Sequence, residues 1–148
     1  MEGYGRRVIL NVPFERGLSR TVKALQEEGF ETITRLDVRE TLRHTLGQDF
    51  RRHVILGVSH PGLMLKALRQ ELDAGTILPV NVAVYELADG ETAVTVGEPF
   101  APLTSDRQWR EERPDLWSLA IETEDRLATA LDELAGKHRA GAALAAAC

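Results

Sequence analysis

The apolar positions of this chain change period repeatedly, from every second residue to every third or fourth and back, and each change marks an element boundary. In residues 7–12, Val8, Leu10 and Val12 alternate with Arg7, Ile9 and Asn11, the two-residue period of a strand. Pro13 stops it. Leu18, Val22 and Leu25 then recur at helical spacing, so a first helix is expected over residues 18–28, with Ser19 as an early cap and Gly29 as terminator. "FETITRLDV" returns to alternation with β-branched residues and reads as a second strand. "DVRETLRHTLG" is helical through Val38, Leu42 and Leu46, capped by Asp37 and ended by Gly47.

The run "RRHVILGVS", residues 51–59, is apolar on both faces and predicts a central strand. Such a strand is covered on both sides, or by helices on one side and a partner on the other. Leu63, Met64, Ala67, Leu68 and Leu72 mark a helix over residues 62–73, closed by Gly75. "LPVNVAVYEL" and "TAVTVGEPF" flank Asp89-Gly90, which predicts an antiparallel hairpin with a type I′ turn. The polar stretch 104–113 reads as a loop or a short frayed helix, and Pro114 opens a final helix with a stripe of Leu116, Ala120, Leu127, Leu131 and Leu134. Trp109 and Trp117 read as packing or dimer-contact residues. The expected fold is α+β, a two-layer arrangement of a mostly antiparallel sheet with helices on one face; a doubly wound parallel sheet is the alternative.

A chain of 148 residues is long enough for one core and short for two. Residues 1–136 are therefore expected to form one domain, and the alanine-rich residues 137–148 a frayed tail. A net charge of -5 repels a phosphate backbone, which argues against nucleic acid as a partner. Cys148 is the only cysteine, so no internal disulfide or thiol-based metal site is available. No apolar stretch approaches the roughly 18 to 20 residues that span a bilayer. The expectation is a cytoplasmic protein with no membrane partner and no cofactor.

Candidate chemistry concentrates in "HTLGQDFRRHVILGVSHPGL", residues 44–63, which holds three of the four histidines. Asp49, His44, His53 and His60 are of ligand type, yet their spacing matches no zinc pattern, and strand alternation turns His53 and His60 to opposite faces. No metal is expected. "GVSHPG" resembles a nucleophile elbow but is spaced G-x-S-x-x-G, and the only later histidine, His138, lies in the tail. Ser59 or His60 instead reads as a helix cap, with Pro61 in the first turn. The unpaired amides of that turn could hold a small anionic or carbonyl-bearing ligand. Asn11 and Asn81 are polar residues within apolar strands; with His53 and Ser59 they could line one surface, or each could bond local backbone.

"DVRETLRHTLGQDFRRHVILGVSHPGLMLKAL", residues 37–68, with "LPVNVAVYE" and the "DGETAVTV" hairpin, resembles domain-of-unknown-function family 302, small bacterial and archaeal proteins, over roughly residues 7–134. The matching positions are Gly47, Asp49 and Phe50, Leu56-Gly57, Pro61, Leu78-Pro79 and Asn81-Val82. The resemblance implies a β-α-β-β-β-β-α core and a homodimer, and it implies no established activity. It also implies cysteines at positions that here hold Ser59 and Val80, where no thiolate can form. The expected function is a dimeric small-ligand-binding or accessory domain, with Ser59, His60, Asn81, His53, Asp49 and Asn11 as candidate binding residues. The alternatives are an enzyme using Asp49 with His53 or His60 as acid and base, and an interaction module without a pocket.

Overall fold

The computed structural model describes residues 4–136. Five strands form one antiparallel sheet in the order β1-β5-β4-β3-β2: β1 (Gly5–Leu10), β2 (Glu31–Asp37), β3 (His53–Ser59), β4 (Val80–Ala88) and β5 (Glu91–Gly97). The helices are α1 (Phe14–Glu27), α2 (Val38–Leu46), α3 (Pro61–Gln70), α4 (Ala101–Thr104), α5 (Arg107–Glu112) and α6 (Pro114–Leu134), with a 3-10 turn at Leu72–Thr76. The expected two-layer α+β fold is observed.

Alternation in the strands decides the layers. Leu10, Val54, Leu56, Val58, Val82, Val84, Val94 and Val96 point to one face and are buried against Leu18 and Leu25 of α1 and Leu127, Leu131 and Leu134 of α6. At Gly17, α1 lies close to the sheet. A Cβ there would sit 2.6 Å from Thr92 Cγ2, so only glycine permits the approach. The opposite face carries Ile9, Ala83, Ala93, Ile55, Tyr85 and His53, and no helix covers it among the described residues.

Several local readings are corrected. Helix α1 begins four residues early, at Phe14, and Ser19 is an exposed residue inside it. The first turn is anchored by burial of Phe14 beneath the Arg52 guanidinium, 4.5 Å from the ring centre. Helix α3 stops at Gln70 because Glu71 turns extended (φ -149°), leaving Leu72 83% exposed rather than in the core. The strand nearest the middle is β4, and β3 lies one place in from the edge strand β2, whose seven residues are all exposed. The hairpin forms at Asp89-Gly90, yet only Gly90 has positive φ (75°), so the turn is not type I′. A register shift between Glu86 and Ala88 accommodates it. Other expectations are met: Asp37 caps α2 by accepting from Glu40 N at 3.0 Å, Gly47 ends it at φ 63°, and Pro114 opens α6. The predicted tail, residues 137–148, lies outside the described residues.

Candidate functional site

The end of β3 and the start of α3 meet at Ser59-His60-Pro61. Of the two predicted caps, His60 makes the bond: its Nδ1 accepts from Leu63 N at 3.2 Å. An accepting nitrogen carries no proton, so the neutral ring holds its proton on Nε2. The ring packs edge-on to Phe30, with centroids 5.9 Å apart, and against Gly29. A Cβ at Gly29 would lie 2.8 Å from the imidazole, and φ there is +86°, so glycine is required twice over. Ser59, 3% exposed, donates its hydroxyl proton to Met64 Sδ at 3.2 Å.

This cap forms one wall of a cavity of about 350 Å³. Val58 and Val80 supply its floor, Leu63, Met64 and Ala67 of α3 one side, and Leu116, Leu119 and Ala120 of α6 the other. Leu103 and Trp109 come from the α4–α5 segment, and Ala74, Ile77 and Leu78 from the chain leading into β4. Its polar residues are Ser59, His60, Thr76, Thr123, Glu71 and Asp73. Glu71, at the end of α3, pairs with Arg113 at the start of α6 across 3.1 Å and ties the two helices together. The α4–α5 segment is held to α6 by Trp117 Nε1, which donates to Thr104 O at 3.1 Å, and by Arg110 over the Trp117 ring at 4.2 Å.

Ser59 and His60 are the only two of the six predicted residues on this cavity. His53 lies at the far end of β3 on the open sheet face, stacked on Tyr85, and Asn81 is exposed beside Gly57 near the other end. Asn11 is exposed after β1. Asp49 is exposed and accepts from Arg43 Nη2 at 3.4 Å. The six do not converge, and Asp49, His53 and His60 form no acid–base group. His60 turns away from His53 because the chain leaves the sheet at Pro61. The anion site expected at the start of α3 is also largely consumed: Pro61 has no N–H, Leu63 N binds His60 Nδ1, and Met64 N binds His60 O at 2.9 Å.

Sequence reasoning missed the walls of the cavity, because its lining comes from Phe30 through Thr123 and no short window contains it. One signal was present. Trp109 is the lone large ring in the polar run "TSDRQWREER", and it faces the cavity. Val80, where the resemblance marks a cysteine, lines the same cavity as Ser59.

Two other polar groupings lie apart from it. His53 has its pKa lowered, first by burial and then by the Arg51 charge. At the far end of β5, Arg6, Glu98, Thr104 and Glu124 border a smaller cavity of about 260 Å³. Arg6 pairs with Glu98 at 3.3 Å. Burial, and then the Glu98 charge, raises the Glu124 pKa, against the opposing effects of a Thr104 hydrogen bond and Arg6. Among the described residues, no group of three or more His, Cys, Asp or Glu side chains could hold a metal ion, and no helix is long and apolar enough to cross a membrane.

The class defined by these features is a two-layer α+β domain with an apolar cavity between the sheet end, α3 and the long helix α6. The chain belongs to the family described as Domain of unknown function DUF302, whose model matches residues 7–134. It is similar to the crystal structure of an uncharacterized conserved protein DUF302 from Bacillus stearothermophilus. That likeness has a TM-score of 0.72 at 27% identity, over 88% of this chain and 97% of the other. No curated protein matches the chain.

Proposed function

We propose that this domain binds a small, largely apolar molecule in the cavity beside the Ser59-His60 cap and acts as a binding or accessory protein. The observation that carries the reading is the cavity itself. At about 350 Å³ it falls within the range of small-molecule sites, and apolar side chains surround a few convergent polar groups. Trp109 in the wall provides the readout. The neutral dye N-phenyl-1-naphthylamine should gain fluorescence on binding and alter the Trp109 emission, with Trp109→Phe assigning the signal. Filling the cavity by Ala67→Phe or Ala74→Phe should abolish dye binding while the far-UV circular dichroism stays unchanged. Equal dye binding by well-folded filled variants would overturn the reading.

The same proposal includes a homodimer joined through the open sheet face. Support comes from Ile9 and Leu36, 51% and 46% exposed on strands at its two margins, and from Phe50, 44% exposed beside His53. A two-fold arrangement would cover this surface with its own copy. Light scattering should give twice the chain mass, and Ile9→Lys with Leu36→Lys should give the single chain mass. A wild-type monomer at both low and high concentration would remove the dimer.

A further inference from the structure

The hydrogen-bonding state of the cavity's two buried hydroxyls goes further and bears on the head group of the ligand. Ser59 spends its proton on Met64 Sδ, and Thr123 spends its own on Leu119 O at 2.8 Å. Each hydroxyl has a single proton, so while these bonds are kept each offers an incoming molecule its oxygen lone pairs. Both residues are buried, at 3% and 8% exposure, so a polar atom placed beside them must bond to protein rather than to water. The charges agree with this. The lining contains no lysine or arginine, and its two ionisable carboxylates are Glu71 and Asp73. Glu71 is occupied by Arg113, and Asp73 is exposed at the solvent side of the 3-10 turn. The start of α3, which would otherwise attract an anion, has spent the N–H groups of Leu63 and Met64 on His60.

We propose, on the ligand-binding reading above, that the cavity selects an apolar molecule with one hydrogen-bond-donating head, an alcohol or an amine, and rejects a carboxylate. A carboxylate offers only acceptors to the two hydroxyl oxygens, brings a negative charge toward Glu71 and Asp73, and finds no lysine or arginine, only the side-chain N–H groups of His60 and Trp109, to offset its desolvation. An alcohol donates to Ser59 or Thr123 and leaves no polar atom unpaired. The size of the apolar part follows from volume. A cavity of about 150 Å³ takes up benzene, so one a little over twice as large accepts roughly ten to fourteen non-hydrogen atoms.

The test is a competition series with one ten-carbon skeleton: 1-decanol, decylamine and sodium decanoate, each below its micelle concentration, displacing N-phenyl-1-naphthylamine from the full chain at pH 7. Decanol and decylamine should each displace the dye at least tenfold more effectively than decanoate. Ser59→Ala combined with Thr123→Val should weaken decanol about fivefold and leave decanoate unchanged, as expected for the loss of one hydrogen bond. Ser59→Thr, which keeps the hydroxyl, should preserve the discrimination. Decanoate binding as well as decanol, or better, would overturn the head-group proposal and leave the ligand-binding reading standing. If the dye binds no better to wild type than to the cavity-filled variants, both fall together.

Discussion

The imidazole of His53 lies flat on the ring of Tyr85, with centroids 5.1 Å apart and planes 15° from parallel, at the point where β3 pairs with β4. The Arg7 guanidinium lies 5.8 Å from the centre of the Tyr85 ring, and the Phe50 and His53 rings lie 6.2 Å apart. The row crosses the sheet face that no helix covers. Half-burial and the Arg51 charge both oppose a proton on His53, so its folded-state pKa lies below the ordinary value of 6.5.

A pH dependence follows, and its sign is set by the direction of that shift. The folded protein holds His53 neutral where the unfolded chain would protonate it, so this contribution to stability is complete above pH 6.5. It is lost as pH falls from 6.5 through the lowered folded value. Thermal melts between pH 5 and 8 should therefore decline on the acid side. His53→Phe, which keeps a ring over Tyr85 and cannot charge, should make that decline shallower. An identical pH profile in the variant would show that His53 contributes nothing to it.

Glu124 works in the opposite sense. Its raised pKa means the fold favours the protonated acid, so its ionisation weakens the protein as pH climbs from about 4.5 through the raised value. Glu124→Gln should raise the melting temperature at pH 7 and change it little at pH 4. The comparison of the two temperatures at the two pH values is the measurement, and a lower melting temperature at pH 7 would contradict it.

At the cap, His60→Ala removes the acceptor for Leu63 N and the edge contact to Phe30. A loss of about 1 to 2 kcal/mol is expected in denaturant unfolding. His60→Asn, a good capping residue, should recover most of it. Failure of Asn to recover stability would shift the role of His60 from capping to packing on Gly29 and Phe30.

Gly57 is closed in by Thr34 of β2 on one side and by Pro79, just before β4, on the other. A Cβ there would sit 2.2 Å from Thr34 Oγ1 and 2.9 Å from Pro79 Cγ. The hydroxyl of Thr34 can rotate away, but the proline ring cannot, so Gly57→Ala should cost about 1 to 3 kcal/mol. Gly57→Ala combined with Thr34→Ala should recover only part of it, because Pro79 remains.

By contrast, the Arg113–Glu71 pair is about 40% exposed on each side and its value for stability is small. Arg113→Ala should lower unfolding free energy by no more than about 1 kcal/mol, and less in high salt. A loss well beyond that would mean the clasp between α3 and α6 matters more to the core than its exposure implies.

What the chain determines on its own is local. The cap at Asp37, the left-handed Gly47, the prolines at the starts of α3 and α6 and the glycine of the β4–β5 turn act within a few residues. Backbone hydrogen bonding and φ restrictions need no distant partner, so these were readable, as was the alternation that sorts Val54, Leu56 and Val58 from His53 and Ile55. What only the tertiary structure decided is which distant groups meet. Helix α1 starts at Phe14 because that ring finds a buried place, and α3 stops before Leu72 where Glu71 leaves helical geometry and reaches Arg113. The three histidines that crowd residues 44–63 separate, since a strand reverses facing at each residue and a proline then takes the chain out of the sheet. The cavity needs α3, α5 and α6 to close over the end of the sheet, and the donor-spent hydroxyls of Ser59 and Thr123 become neighbours of one space only once Met64 and Leu119 have been brought to them.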